Sequence, residues 1–271
     1  MNDTRSFSLK GRKHGWFHRI NPFNALLKRH LAKNLGAPEP LQAPIISTVL
    51  NQGSTEFCGE YEACAEQTAV DNIVYDVPQF LNAVCAYLGI PLSLYTGSDV
   101  HTLFAASIDP GLTPQGQTTP TVKATAVIWI HPESGMDLYD TIQSYVENYR
   151  RPVAFGTTWY ADWDTNVNGL VPSGAPTSQT GGHCSMLNGK VVSGAFQGVT
   201  FPEPDRMVNQ NSWGTDAPGS VNGFYLFPRD VVNDYLCLYG AGMRIFSNDQ
   251  TVKLLGQLSM YYVKLIDLLH L

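Results

Sequence analysis

Three short segments hold the side chains that acyl transfer needs: a nucleophile, a base, a group that orients the base, and donors for a developing oxyanion. Cys58 nearly closes the stretch Asn51-Gln52-Gly53-Ser54-Thr55-Glu56-Phe57-Cys58-Gly59, where an amide donor and a thiol share one turn. The run from Gly59 to Val70 has good helix formers and small residues at Ala63, Ala65 and Ala69, and predicts a buried helix that starts at the thiol. Unpaired N–H groups and the aligned peptide dipoles at such a start favour a thiolate. His183 sits in Gln179-Thr180-Gly181-Gly182-His183-Cys184, which reads as a Gly-rich loop entering a strand, with the imidazole at the strand start facing a cleft. Asn211 sits in Gln210-Asn211-Ser212-Trp213-Gly214-Thr215, ahead of a Gly-rich turn. Singly, each has a plain structural reading: Cys58 as a small core residue, His183 as a structural histidine beside a strand, Asn211 as turn chemistry.

The elements that must position them divide by type. After the Cys58 helix, a second helix is predicted over 78–88, closed by Gly89-Ile90-Pro91, and a third over 99–107 with Ser98 or Asp99 as its cap. A strand follows at 122–131 and an amphipathic helix at 136–148. From Arg151 onward short apolar runs at 152–156, 169–171, 183–192, 205–209 and 223–227 read as strands separated by Gly, Pro, Asn and Ser. That order predicts an α+β fold of two lobes, helical over about 43–121 and strand-rich over about 122–249, with the active-site cleft between them. Outside this body lie a leader, 1–42, and a tail, 250–271. The leader carries a short amphipathic helix with Leu27, Leu31 and Leu35 and ends in a Pro-rich joint at 37–44. The tail reads as a helix with a broad apolar face, expected to pack on the body or on a partner.

The chain has 271 residues, 44% hydrophobic and 15% charged, a globular balance rather than a disordered one. Its net charge of -6 is unevenly spread. Residues 1–38 hold eight Lys and Arg against Asp3, for +7, which leaves nine bases and 22 acids, or -13, for the rest. Opposite signs of that size give the leader a reason to dock on the acidic body. Five widely spaced cysteines without a C-x-x-C pair indicate neither a disulfide framework nor a zinc site. His14 and His18 read as part of a solvated basic face. With no H-E-x-x-H and no Gly-Lys-Ser or Gly-Lys-Thr loop, no metal or nucleotide cofactor is expected. Specific nucleic-acid binding is not indicated either. No apolar run reaches a spanning length of about 18 residues, and neither a signal peptide nor a transmembrane segment is visible, which favours a reducing, cytoplasmic setting.

Taken together, the segments resemble the papain-like cysteine peptidases, whose Cys, His and Asn occur in that order. The first motif matches as N-Q-G-S, three residues, then Cys58-Gly59, with Gln52 six before the thiol. The last matches as N-S-W-G-T over Asn211 to Thr215, followed by Gly223-Phe224-Tyr225. Between them, Arg151-Pro152-Val153, Gly169-Leu170-Val171 and His183 are similar to the family's Pro-Val strand, its Gly-containing strand and its histidine loop. Gly97-Ser98-Asp99 and Gly111-Leu112-Thr113-Pro114 look like the segment after the central helix in bacterial and archaeal members. The resemblance, from about Ile45 to Phe227, implies a cysteine endopeptidase acting on a peptide or protein substrate, with the leader as a possible pro-segment. It implies Cys58 as nucleophile, His183 as its acid–base partner and Asn211 as the orienting group. Gln52 and the Cys58 N–H would form the oxyanion hole, with Trp213 as a cover. A thiol acyltransferase or transpeptidase on the same residues, and an idle interaction module, are the alternatives. Three departures stand out. Thr55 replaces a frequent disulfide cysteine, Gly59 and Glu60 follow the thiol where an aromatic residue is usual, and Glu56 and Phe57 replace small residues before it. A carboxylate at Glu56 is expected to raise the thiol's pKa or narrow the cleft.

Overall fold

The computed structural model describes residue 41 and residues 43–246, apart from 134, 192–193 and 202–204. By its contacts the chain divides into Met1–Pro38 and Glu39–Leu271, and the described residues all belong to the second unit. The expected leader helix and the apolar tail lie outside the described residues.

Helix α1 runs Cys58–Asp71, α2 Val77–Leu88 and α3 Val100–Ile108. Side-chain caps fix two of these starts. Asp76 accepts from the Gln79 N–H at 2.9 Å, and Asp99 accepts from His101 and Thr102 at 2.9 and 3.0 Å. Of the two expected caps for α3, Asp99 is the one used, because its backbone is extended and its carboxylate reaches two first-turn donors. Gly89 ends α2 in the left-handed region, at φ 68°. The three helices share a core that includes Ala63, Phe80, Val84, Leu103 and Phe104. Full burial of the Phe, Val and Leu side chains among them contributes about 1.5–3 kcal/mol each.

The remaining elements are β1 (Ala124–Trp129), α4 (Leu138–Tyr149), β2 (Val153–Tyr160), α5 (Ala161–Asp164), β3 (Gln179–Val191), the hairpin β4 (Ala195–Phe196) and β5 (Val199–Thr200), β6 (Arg206–Gln210), β7 (Phe224–Phe227), α6 (Arg229–Asp234) and β8 (Ala241–Phe246). Six strands form one sheet in the order β1-β8-β2-β3-β6-β7, and every adjacent pair is antiparallel. All eight residues of β2 are buried, as befits a central strand covered on both faces. A second core of Val191, Phe201, Val208, Val221, Phe224 and Leu226 sits at the β6–β7 end. The architecture is therefore α+β, with a helical lobe and a strand-rich lobe.

Several expected boundaries move. The strand expected at 152–156 runs on to Tyr160, paired with β3 along its whole length. The strand expected at 169–171 is a single bridge, Leu170 to Leu226, because Gly169 turns the chain at φ 75°. Strand β8 was not expected. Its Arg244 breaks the apolar pattern, yet it is 0% exposed, because Glu62 and Glu66 of α1 bind it. Those acids are four apart and share one helix face. The guanidinium lies 3.1 and 3.2 Å from the Glu62 oxygens and 3.0 Å from the Ser107 hydroxyl. The charges of α1 are thus an interior feature that bolts the helix to the sheet.

Candidate active site

Asn51 forms an antiparallel bridge with Trp213, and the Gln52 N–H donates to Ser212 O at 2.8 Å. The turn carrying the amide is thereby tied to the Asn211 segment. Within the turn, Gly53 takes φ 59° and its N–H donates to Asn51 Oδ1 at 2.8 Å. Gln52 is buried and held at both ends of its amide: Oε1 accepts from the Ser212 hydroxyl at 2.5 Å, and Nε2 donates to Thr55 O at 2.6 Å. A primary amide has a second N–H to offer. Thr55 closes the turn through its hydroxyl, which donates to Gln52 O at 2.7 Å. The residue that stands in place of a disulfide cysteine so fastens the turn by a hydrogen bond.

Cys58 is the first residue of α1, and its sulfur accepts from the Cys184 N–H at 3.3 Å. That donor belongs to the residue after His183, so the thiol lies against the β3 backbone at the His183–Cys184 peptide. All five cysteines carry free thiols. The Gly59 departure has a packing reason. A Cβ at Gly59 would come within 2.1 Å of Leu103 Cδ1 from α3, so Leu103 fills the space a larger residue at 59 would need.

His183 is the fifth residue of β3, not the strand's first. The expected Gly-rich loop is part of the strand, because Gly181 and Gly182 pair with Trp159 and Thr158 of β2. Asn211 follows β6 directly, and β6 neighbours β3. Adjacent strands thus deliver both side chains, with His183 Nε2 3.0 Å from Asn211 Oδ1. The Ser212 N–H also donates to that oxygen, at 2.6 Å. The oxygen end of Asn211 therefore faces the ring, so Nε2 carries the hydrogen and Nδ1 is left as the basic nitrogen. Trp213 lies over the pair at 4.6 Å between ring centroids and 39° between planes.

One contributor went unread in the sequence. Trp159, 1% exposed, meets His183 edge-on at 5.0 Å and Trp213 at 5.1 Å. Its indole N–H donates to Asp164 Oδ1 at 2.9 Å. The expected strand stops at Gly156, where Thr157 and Thr158 end the apolar run before Trp159.

Burial dominates the electrostatics. It raises the Cys58 thiol to about 11, opposed by the Cys184 N–H and reinforced by the charge of Glu60. It lowers His183 to about 4 against the hydrogen bond that the ring donates to Asn211. Each group alone is therefore held neutral. The carboxylates that act on the thiol are Glu60 and Glu62, whereas the expectation fell on Glu56, which is exposed. Beside the site a depression of about 470 Å³ is lined by Asn51, Gly53, Asp164, Trp213 and Asp216. A larger one, about 530 Å³, shares no residue with it and is lined by Ser173, Arg206, Arg229 and Asp230 among others. The smaller one adjoins the histidine cover through Trp213, and Cys58, Gln52 and His183 line neither.

No family model and no curated protein sequence matches the chain. Solved structures do. Xylellain, a cysteine protease from Xylella fastidiosa, aligns at TM-score 0.55 and 14% identity over 77% of this chain and 89% of its own. The Amb a 11 cysteine protease, a major ragweed pollen allergen, aligns in its proform at TM-score 0.51 and 14% identity over 74% of this chain and 62% of its own. Together with the two lobes and the antiparallel sheet, these likenesses show that the chain has the α+β fold of the papain-like cysteine proteases.

Proposed function

We propose that this protein is a cysteine endopeptidase. The observation that carries the reading is the buried His183–Asn211 pair at 3.0 Å, roofed by Trp213, with the Cys58 sulfur against the adjacent Cys184 N–H. In this reading His183 Nδ1 takes the Cys58 proton, and the thiolate so formed attacks a peptide carbonyl. Since burial disfavours either charge alone, thiolate and imidazolium form together, each as the other's counter-ion. The second N–H of Gln52 and the backbone N–H of Cys58 receive the oxyanion. His183 then protonates the leaving amine, and water releases the acyl group by the reverse proton path. Asn211 fixes the ring, and Trp159 and Trp213 keep water from the Asn211 bond.

The basic leader 1–42 is read as a pro-segment that docks on the acidic body, a reading in keeping with a structural neighbour that is itself a proform. Mass spectrometry of the purified full chain after incubation, beside Cys58→Ala, tests both parts. Thiol-dependent cleavage near the 37–44 joint is expected. Full-length chain unchanged in both, together with no labelling of Cys58 by a thiol-directed epoxide, would leave only an idle interaction module. Product carrying an added amine would instead identify a transpeptidase.

A further inference from the structure

Glu60 stands two residues after Cys58 in the first turn of α1, yet it is 0% exposed. Its Oε1 receives the Tyr95 hydroxyl and lies 3.3 Å from Ser98 Oγ, while Tyr95 Oη lies 2.7 Å from Ser98 Oγ. Its other oxygen, Oε2, is buried without a hydrogen-bond partner. The three oxygens close a ring of three contacts, but two hydroxyls bring only two hydrogens. A proton on Glu60 supplies the third. It also turns Oε2 into a neutral carbonyl oxygen, far less costly to leave unpaired than half of a carboxylate. Burial acts in the same direction, against the bonds from Tyr95, from the residue's own backbone N–H and from Ser98, and against the charge of Arg244.

The groups around this carboxyl come from several elements. Cys58, Glu62 and Cys64 share α1 with it, and Cys85 faces it from α2. Cys184 faces it from β3 and Arg244 from β8. Arg244, the one cation among them, is already engaged by Glu62 and Glu66.

We propose that Glu60 is a positioning residue for the Cys58 reaction: as a neutral acid bound by Tyr95 and Ser98, it pins the 95–98 segment to the first turn of α1 and keeps negative charge away from the thiol. This rests on Cys58 being the nucleophile. Above the pH at which Glu60 ionises, the wild-type thiol has a carboxylate beside it, and the Glu60→Gln variant does not.

The test follows the thiolate of Cys58, by ultraviolet absorbance and by alkylation with iodoacetamide, across pH in wild type and Glu60→Gln, with Cys58→Ser as background. The two should agree in acid and separate in alkali, where the variant should hold about threefold to tenfold more thiolate, as removal of one nearby charge predicts. A ratio independent of pH would mean a merely structural role and would overturn the proposal. An infrared difference between wild type and Glu60→Gln at neutral pH should show a protonated carboxylic acid, and its absence would also overturn it. If Glu60→Gln does not fold, the acid band must appear in wild type and move on Ser98→Ala. None of these readouts needs peptide hydrolysis. A chain with the expected profile that cleaves nothing would defeat the peptidase reading and leave this one standing.

Discussion

The two sides of the candidate site are built in different ways. His183, Asn211 and Trp213 are delivered by neighbouring strands and a turn, and the aromatic rings around them carry no charge. Cys58 opens a helix whose first three turns bury Glu60, Glu62 and Glu66. One side fixes geometry by register and packing. The other sets reactivity by charges that the fold must neutralise, so mutations on the two sides should fail in different ways.

The largest effect is expected from the charge side. Arg244→Ala leaves Glu62 buried without its cation and Glu66 with Arg151 alone, 3.8 Å away, and breaking such a cluster typically costs about 3–5 kcal/mol. Denaturant unfolding should show a loss of that size, whereas a loss under 1 kcal/mol would mean the acids are already neutral. Next is Gln52→Ala, expected to lower kcat by about 100- to 1000-fold through loss of an oxyanion donor. Because Gln52 also receives Ser212, Ser212→Ala serves as the control: a loss as large there would assign the effect to the turn rather than to the amide.

The histidine side should reveal itself in acid. His183 is held at about 4 in the fold against an ordinary value of 6.5, so the unfolded chain binds the extra proton first. Its contribution is complete above pH 6.5 and is lost as pH falls towards 4, at about 1.4 kcal/mol per pH unit. Glu62, raised to about 7 by burial, gives the opposite slope. The quantity to measure is therefore the stability difference between wild type and His183→Gln, from which Glu62 cancels. A difference that stays flat between pH 6 and 4.5 would contradict burial of a neutral imidazole. The smallest effect, about 0.5–2 kcal/mol of stability, belongs to Asp99→Ala, which removes the cap of α3.

What could be read in the chain follows this same division. Gln52, Cys58, His183, Asn211 and Trp213 stand out as candidates because their motifs are short and local, and the structure brings their segments together. The helices were legible from caps and periodicity, Asp99 and Gly89 above all, whereas the Asp76 cap of α2 was not. Partnerships between distant segments were not. Nothing near Arg244 in the chain says that Glu62 and Glu66 will bind it, so β8 read as no strand at all. Trp159 was missed because a fully buried strand shows no alternation to mark its end. Glu56 drew attention through closeness in sequence, but the helix turns Glu60 inward beside the thiol and leaves Glu56 in solvent.

The contact of Gly59 with Leu103 makes two positions forty-four residues apart answer to one another. A side chain at 59 and a leucine at 103 compete for one volume, so neither site can drift alone. Any lineage that places a bulky residue after the thiol must first hollow out α3, and Gly59→Ala should gain tolerance only in a Leu103→Ala background. The immediate neighbour of the Cys58 thiol is thus chosen by a helix that contributes no residue to the candidate site.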